Sequence, residues 1–414
     1  MSIKPTTTIR IDPSLKEESK AVFAEIGINM STAITAFLKA VIREKSMPVG
    51  IIPKTSLKVG KPKNAILNRA FLEKKDEFYT RYEDVAAELM KYQSEFEGKK
   101  VFCNCDDPFE SAFFRFFVLN FEKFQLSQLI CTCYSKSSFS GQEYPLEGFG
   151  GAYKAIVSVI PSESLLLPDG SLNVELLFST SENSLSYLKG DGDFRSEECI
   201  NLLKKSDIIV TNPPFSLFRE YITLLTKHKK KFAILGNVNA ATYKEVFPLF
   251  SNNLIWYGSS IRSGDRKFYV PNDYPLNASG CGIDNDGRRY IRVKGVRWIT
   301  NMVSGRLDEP IDLYKNFSHQ EYPVYDNYSA IEVGKTKDIP KDYTGLMGVP
   351  ITFLDKYNPE QFEIIMLANG NARTNVSNET LSRVGYQPHP EDRGGVPMLN
   401  GKRTYARIII RRKF

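Results

Sequence analysis

Within the opening fifty residues the hydrophobic pattern first alternates and then switches to a helical period. In TTTIRIDP, Ile9 and Ile11 face one way and Thr8 and Arg10 the other, which predicts a short half-buried strand. Asp12-Pro13 ends it and opens a helix, with Pro13 in the first turn, where a missing N–H is harmless. Leu15, Val22, Phe23 and Ile26 form the apolar stripe of that helix, and Gly27 closes it. Ser31 caps a second helix whose stripe is Ile34, Phe37, Leu38, Val41 and Ile42, with Pro48 at its end. One strand and two helices of this length cannot bury a core alone. Such a unit needs a partner, most simply a second copy of itself.

Residues 51–70 mix Gly, Pro, Lys and Ser with little periodicity and read as a linker. From residue 71 onward the pattern is that of a larger domain. Glu83 to Phe96 is helical, with Val85, Leu89, Tyr92 and Phe96 on one side. Lys100–Cys103 is a short apolar strand that runs into Asn104, Cys105, Asp106, Asp107 and Pro108. A Phe-rich helix (Phe113, Phe114, Phe116, Phe117, Phe121) precedes a strand at 128–134. A buried strand at 206–211 leads through Asn212-Pro213-Pro214-Phe215 into a further helix, and another strand follows at 231–236. Strands alternating with helices predict an open, mostly parallel sheet with helices on both faces. Such α/β sheets bind ligands at the carboxyl ends of their strands.

A length of 414 residues implies two or three domains at roughly 100–200 residues each. The balance of 42% hydrophobic and 25% charged residues excludes a mostly disordered or fibrous chain. No run of apolar residues is long enough to span a bilayer, and the N-terminus lacks a signal-peptide core, so a cytoplasmic location is expected. Charge is unevenly placed: residues 1–63 hold 11 basic and 5 acidic side chains, whereas the rest is nearly neutral. The last fourteen residues carry Lys402, Arg403, Arg407, Arg411, Arg412 and Lys413 and no acid. A basic head and tail fit a polyanion partner, nucleic acid first; solvated surface charge is the other reading.

The sharpest chemical signal is DIIVTNPPF at 207–215. A buried strand delivers Asn-Pro-Pro-Phe to the carboxyl edge of the sheet. The exocyclic amine of adenine is a poor nucleophile because its lone pair is delocalised into the ring. Acceptors on both of its N–H groups, the side-chain oxygen of Asn212 and the carbonyl of Pro213, would localise that pair. Pro213 and Pro214 add rigidity and no competing N–H. Phe215 can stack on a base drawn out of the duplex. The alternative is an ordinary proline-rich turn. NPPF after a strand resembles motif IV of amino-methyltransferases acting on adenine in DNA. KDEFYT (75–80), CNCDDP (103–108) and GDGDF (190–194) resemble motifs X, I and III in the order expected. Together with GVPITFLDKYNPEQFEI (348–364) and Tyr405–Arg411, residues 71–414 resemble the EcoRI-type adenine-specific DNA methyltransferases. That resemblance implies an S-adenosylmethionine-dependent, Rossmann-like methyltransferase fold with its target-recognition region toward the C-terminus. It also implies a cofactor held by Phe78, Tyr79, Thr80, Asn104, Asp106, Asp107, Pro108, Asp193 and Phe194. The sequence departs from the usual pattern in having no glycine between Val101 and Ser140 and no acid after the second strand.

The strand–helix–helix unit at the N-terminus resembles the ribbon-helix-helix part of RelB/DinJ antitoxins. In that family two strands pair across a dimer and lie in the DNA major groove. The resemblance implies base contacts from Thr6, Thr8 and Arg10 and a phosphate anchor at Ser31, beside Thr32. A dimerisation module without DNA contact is the alternative.

Cys103, Cys105, Cys131 and Cys133 form two C-x-C pairs. Zinc is one reading; packing of small apolar side chains on adjacent strands is the favoured one. His228, His319 and His389 lack metal spacing, and no metal is expected. The Phe-rich segment 109–124 reads as core rather than a base-stacking platform. Residues 256–274 interleave Arg262, Arg266 and Lys267 with Tyr257, Phe268 and Tyr269, as a loop against DNA or a hairpin with solvated charges.

The organisation expected is a ribbon-helix-helix unit at 1–50, a linker at 51–70, a catalytic domain at 71–300 and a target-recognition region at 301–414. The function expected is methyl transfer to the N6 amine of adenine in double-stranded DNA, by a homodimer formed through the N-terminal unit. A toxin is a further possible partner of that unit. One alternative is an antitoxin-like transcriptional repressor with an inactive methyltransferase-like domain. Another is methylation of a different amine: cytosine N4, RNA or a protein glutamine.

Overall fold

The computed structural model describes residues 80–105, 111–134, 152–163, 165–168, 170–262, 264–270, 274, 276, 280–303 and 309–413, with a few residues between 19 and 35. The chain divides into two compact units, Met1–Lys63 and Asn64–Phe414. In the first, the described residues 19, 20, 22, 30–32, 34 and 35 are helical, on the two segments where helices are expected. The expected strand and linker lie outside the described residues.

In the second unit the apolar runs become β1 (Lys100–Asn104), β2 (Gln128–Thr132), β3 (Tyr153–Val157), β4 (Ser184–Tyr187), β5 (Ile208–Thr211), β6 (Lys231–Asn237) and β7 (Trp256–Tyr257). A three-stranded sheet follows, made by β8 (Asp265–Tyr269), β9 (Gly282–Ile283) and β10 (Arg289–Lys294). The chain then returns as β11 (Val296–Thr300), which enters the main sheet between β6 and β7. Among the described residues four helices have eight or more residues: α1 (Tyr82–Leu89), α2 (Ala112–Leu119), α3 (Glu197–Lys205) and α4 (Phe218–Lys227).

The main sheet has eight strands in the order β4-β3-β2-β1-β5-β6-β11-β7. Its centre, β2-β1-β5-β6, is parallel, while β3, β4, β11 and β7 pair antiparallel with their neighbours. The sheet is therefore mixed, which corrects the expectation of a mostly parallel one. Parallel neighbours need a crossover, usually a helix. α2, α3 and α4 immediately precede the parallel strands β2, β5 and β6. β11 instead follows β10 across a single residue, Gly295.

Alternation along each central strand divides the core in two. Val101, Cys103, Ile208, Val210, Ala233 and Leu235 join one apolar cluster with α1, α2 and Trp298. Phe102, Ile209, Phe232 and Ile234 join the other, with Leu203 of α3 and Phe218, Tyr221, Ile222 and Leu225 of α4. The phenylalanines of α2 are core: Phe96 stacks on Phe124, and Phe116 and Phe117 meet Phe124 edge-on. Ser111 starts that helix by accepting from the N–H groups of Phe113 and Phe114.

The C-terminal part forms β12 (Ala330–Glu332), β13 (Leu346–Val349), β14 (Phe362–Ala368), a small β15–β16 hairpin (Met398–Leu399 and Lys402–Arg403) and β17 (Arg407–Arg412). Its four-stranded sheet runs β12-β13-β17-β14. Ile331, Met347, Val349, Ile364, Ile408 and Ile410 belong to the same cluster as α4, so this region shares the core of the main sheet. Two cations of the basic tail are engaged by carboxylates of other strands. Arg407 pairs with Glu332 at 2.6 Å and Arg411 with Glu363 at 2.7 Å. No helix among the described residues is long and apolar enough to cross a membrane.

One buried ion pair clamps the two sheets. Arg297, at the rim end of β11, donates to Asp355 at 2.7 and 3.2 Å and also to the carbonyl of Arg262 at 2.5 Å. Removing one partner of such a pair strands the other charge in the interior. Asp355→Ala should therefore cost about 3–5 kcal/mol of stability. Guanidinium denaturation checks it; a loss below about 1 kcal/mol would show that the pair is not a clamp.

Candidate active site

The carboxyl ends of β1 and β5 meet at Asn104. The hydroxyl of Thr211, the last residue of β5, donates to the Asn104 carbonyl. The hydroxyl of Tyr221, on α4, donates to the Asn104 side-chain oxygen. Phe194 in turn packs edge-on against Tyr221, with ring centroids 5.1 Å apart. Strand, neighbouring strand and following helix are thus tied at one residue.

β5 is buried at every position, and the chain leaves it directly into Asn212-Pro213-Pro214-Phe215. Two successive prolines cannot donate to a ladder, so the strand must stop here. Pro214 is extended (φ −54°, ψ 122°), and a 3-10 turn over Phe215–Leu217 starts α4. Asn212 and Pro213 are buried, Pro214 and Phe215 half-buried, and Ser216 exposed. Asn212 and Pro213, which carry the acceptor oxygens, are thus more deeply buried than Phe215. Phe215 packs against the cluster that contains Ile261, Phe113 and Trp298.

Two features replace the missing glycine turn. Cys105, the residue after β1, has φ +75°, a left-handed conformation that glycine usually supplies. Gly192, in the 190–194 turn, has φ +78°, and a Cβ on it would lie 2.0 Å from the Cys133 carbonyl. Only glycine fits there, and it seats Asp193 and Phe194 beyond the end of β2. Asp193 accepts from the Arg195 N–H at 2.8 Å and from its guanidinium at 2.9 and 2.7 Å. The Arg195 guanidinium holds the Asp193 carboxyl below the ordinary carboxylate range. That contribution to stability is present above the unfolded carboxylate pKa and is lost as pH falls through the lowered folded value. The Phe194 ring is buried, lies under the Arg195 guanidinium at 5.3 Å, and helps line a groove of about 600 Å³ with Ile200, Ser216, Arg219 and Leu224.

Among the residues assigned to a cofactor, Thr80 and Asn104 are buried, and the Thr80 hydroxyl and Asn104 amide nitrogen have no hydrogen-bond partner among the described residues. Buried polar atoms left in this way are costly unless a ligand or water completes them. Phe78, Tyr79, Asp106, Asp107 and Pro108 lie outside the described residues, as do Thr6, Thr8 and Arg10. Ser31 is helical and exposed, and its carbonyl accepts from the Thr35 hydroxyl at 2.8 Å. Residues 265–269 form a strand, with Phe268 in the core. Lys267 is held by Asp284 at 3.3 Å and lies over the rings of Tyr290 and Tyr269. Arg266 is half-buried, 4.0 Å from Asp84, whereas Arg262 is exposed. Cys103 and Cys131 stand side by side in the register of β1 and β2 and pack in the core.

Sequence reasoning missed Thr211, Tyr221 and Glu88. Glu88 is fully buried and accepts from the Tyr92 hydroxyl at 2.6 Å and from the N–H groups of Ser259 and Ser260 at 3.2 and 2.7 Å. It pins the loop after β7 to α1. Because β7 runs in the direction of β6, this loop leaves at the same edge as Asn212. A signal was present: Glu88 sits in the apolar stripe Val85, Glu88, Leu89, Tyr92, where a carboxylate needs a partner.

Comparison with known proteins gives two family matches. Residues 66–413 match the family described as adenine-specific methyltransferase EcoRI, and residues 6–56 match the RelB antitoxin family. The Type II methyltransferase M.EcoRI of Escherichia coli is 44% identical over 354 residues, covering 84% of this chain and 97% of that protein. M.MpnI of Mycoplasma pneumoniae is 36% identical and M.MgeORF184P of Mycoplasma genitalium 35%; each alignment covers 84% of this chain and 98% of the relative. These relatives are matched almost end to end, and the first 65 residues lie outside the methyltransferase match. No solved structure matches.

The left-handed residue at the rim is open to test. Cys105→Gly should keep stability within about 0.5 kcal/mol, because the strain removed offsets the extra freedom of the unfolded chain. Cys105→Val, branched at Cβ, should lose more than about 1 kcal/mol. Equal urea midpoints for the two variants would contradict this reading of the turn.

Proposed function

This chain belongs to the EcoRI family of adenine-specific methyltransferases and is a DNA methyltransferase, and from that premise we propose that Asn212, Pro213, Pro214 and Phe215 form its catalytic loop. The reaction is methyl transfer from S-adenosylmethionine to the N6 amine of adenine in duplex DNA. The observation that carries this reading is the exit of NPPF from a fully buried strand, with Asn212 and Pro213 buried and Phe215 half-buried.

The Asn212 side-chain oxygen and the Pro213 carbonyl accept the two N–H groups of the amine and draw its lone pair out of the ring. Their rigidity matters because acceptors that need no reorganisation stabilise developing charge most effectively. Phe215 holds the extruded base by stacking. Nitrogen gains the methyl carbon as the donor's methyl carbon–sulfur bond breaks and S-adenosylhomocysteine leaves with that electron pair, and the proton of the cationic product leaves to water, so no side chain must act as base before transfer. S-adenosylmethionine, when bound, supplies a methyl group activated by a sulfonium centre. Thr80 and Asn104, with their uncompleted polar atoms, fit a role in holding it. Asp193 and Phe194 stand at the same edge, and Phe78, Tyr79, Asp106, Asp107 and Pro108 are assigned with them by family resemblance. The parallel centre β2-β1-β5-β6 supports a Rossmann-like reading of the main sheet. Residues 71–300 are read as the catalytic part and 301–414 as target recognition.

The match to RelB and the excess of basic residues in 1–63 favour a second role for the N-terminal unit. We read it as a ribbon-helix-helix homodimer whose Thr6, Thr8 and Arg10 meet bases and whose Ser31 meets a phosphate. Arg262, exposed on the loop after β7, is read as a further DNA contact, with Arg266 and Lys267 behind it. A toxin partner is the other occupant this match allows.

Asn212→Ala should lower methyl transfer about 100-fold or more, by analogy with removing one preorganised polar group, while DNA binding is retained. Mass analysis of nucleosides from duplex DNA reads the N6-methyladenine formed. Transfer at the wild-type rate would refute the site, and an inactive wild type that still binds DNA would favour the repressor reading. Deleting residues 1–63 should yield a monomer whose DNA affinity depends less steeply on salt. A truncated chain that sediments as a dimer would remove the role given to this unit.

A further inference from the structure

We propose that the β15–β16 hairpin is a DNA-contacting finger of the target-recognition region, an assignment that rests on duplex DNA being the substrate. Three independent observations place and equip it.

The first is position. Val349, the last residue of β13, pairs with Ile408 of the antiparallel β17. Ile351–Asp355, just beyond β13, lies against Val238–Thr242, the turn that follows β6, and against β7. β6 and β5 are parallel neighbours, so this is the edge from which Asn212 emerges. β17 therefore begins at the catalytic edge, and the hairpin immediately before it is presented there.

The second is stiffness. Met398 pairs with Arg403 and Leu399 with Lys402, leaving a two-residue turn. Both turn residues, Asn400 (φ +51°) and Gly401 (φ +72°), are left-handed, as a type I′ hairpin turn requires. The Asp326 carboxylate accepts from the Asn400 and Gly401 N–H groups at 3.3 and 2.7 Å, and the Asp326 N–H donates to the Met398 carbonyl at 2.8 Å. Thr404 closes the base by donating to the Pro397 carbonyl at 2.9 Å.

The third is chemistry. Lys402 and Arg403 are exposed, and Glu391 comes no nearer to Arg403 than 3.9 Å. Tyr405 is 78% exposed, the most exposed large hydrophobic side chain among the described residues. Arg407 and Arg411, a few residues on, are each matched by a carboxylate within 2.7 Å. The fold thus pairs Arg407 and Arg411 of β17 with carboxylates and leaves the cations of the hairpin exposed beside an aromatic ring. Cations for phosphates and a ring for a base or sugar face are what a nucleic-acid surface accepts.

The test uses the full chain and a fluorescent duplex of random sequence, with methylation measured on genomic DNA lacking N6-methyladenine. Wild-type protein that methylates no duplex DNA overturns the functional reading itself. Given an active wild type, Lys402→Ala with Arg403→Ala should flatten the log–log salt slope of binding by about 2. Tyr405→Ala should weaken affinity about tenfold or more, and Tyr405→Phe should restore it. The KM for DNA should rise in both cases while the KM for S-adenosylmethionine holds. Variants that melt like wild type yet keep its DNA affinity and salt slope overturn the proposal.

Discussion

The rim of the main sheet depends on the bonds made by one buried asparagine. Asn104 ends β1, takes the Thr211 hydroxyl on its backbone carbonyl and takes the Tyr221 hydroxyl on its side chain. The first bond fixes where β5 stops relative to β1; the second fixes the helix that follows NPPF. Methyl transfer between positioned groups needs placement far more than it needs acid or base. A rim that shifted by an ångström would misplace the acceptors even with Asn212 intact. With no glycine turn after β1, placement falls to these hydrogen bonds and to the left-handed Cys105.

Much of this was legible in advance, for reasons that can be named. An uninterrupted apolar run ending in Pro-Pro can only be a buried strand that stops, so β5 and Asn212 were readable. The phenylalanines of α2 follow a helical stripe and are core. What periodicity encodes is burial, and burial does not distinguish a parallel neighbour from an antiparallel one. The reversed β3 and β11 were for that reason invisible. Left-handed backbone at Cys105 was invisible too, since the residue that signals it is normally glycine. Glu88 is a different case: a carboxylate inside an apolar stripe was readable as a buried anchor and was passed over.

Charge is where counting along the chain misleads most. Six cations in fourteen residues looked like a single tail. Arg407 is matched by Glu332, 75 positions away, and Arg411 by Glu363, 48 positions away. Arg407, half-buried in such a pair, holds strands together and is not available to a phosphate, whereas Arg411 is paired but exposed. Lys267, enclosed by Asp284 and two tyrosine rings, is likewise structural in character. Of the cations in 256–274 and in the tail, Arg262, Lys402, Arg403, Arg411 and Lys413 are exposed, while Arg266, Lys267, Arg407 and Arg412 are half-buried.

A basic N-terminal unit precedes a methyltransferase that its relatives match almost end to end without it. A second grip on the same duplex converts rebinding into an intramolecular event, and the gain depends on linker length rather than on new contacts at the active site. Residues 51–70, rich in Gly, Pro, Lys and Ser, suit such a tether. If the N-terminal unit grips DNA as proposed, it changes how long the enzyme stays on a stretch of DNA and leaves untouched which amine it methylates, because the proposed acceptors Asn212 and Pro213 belong to the other unit.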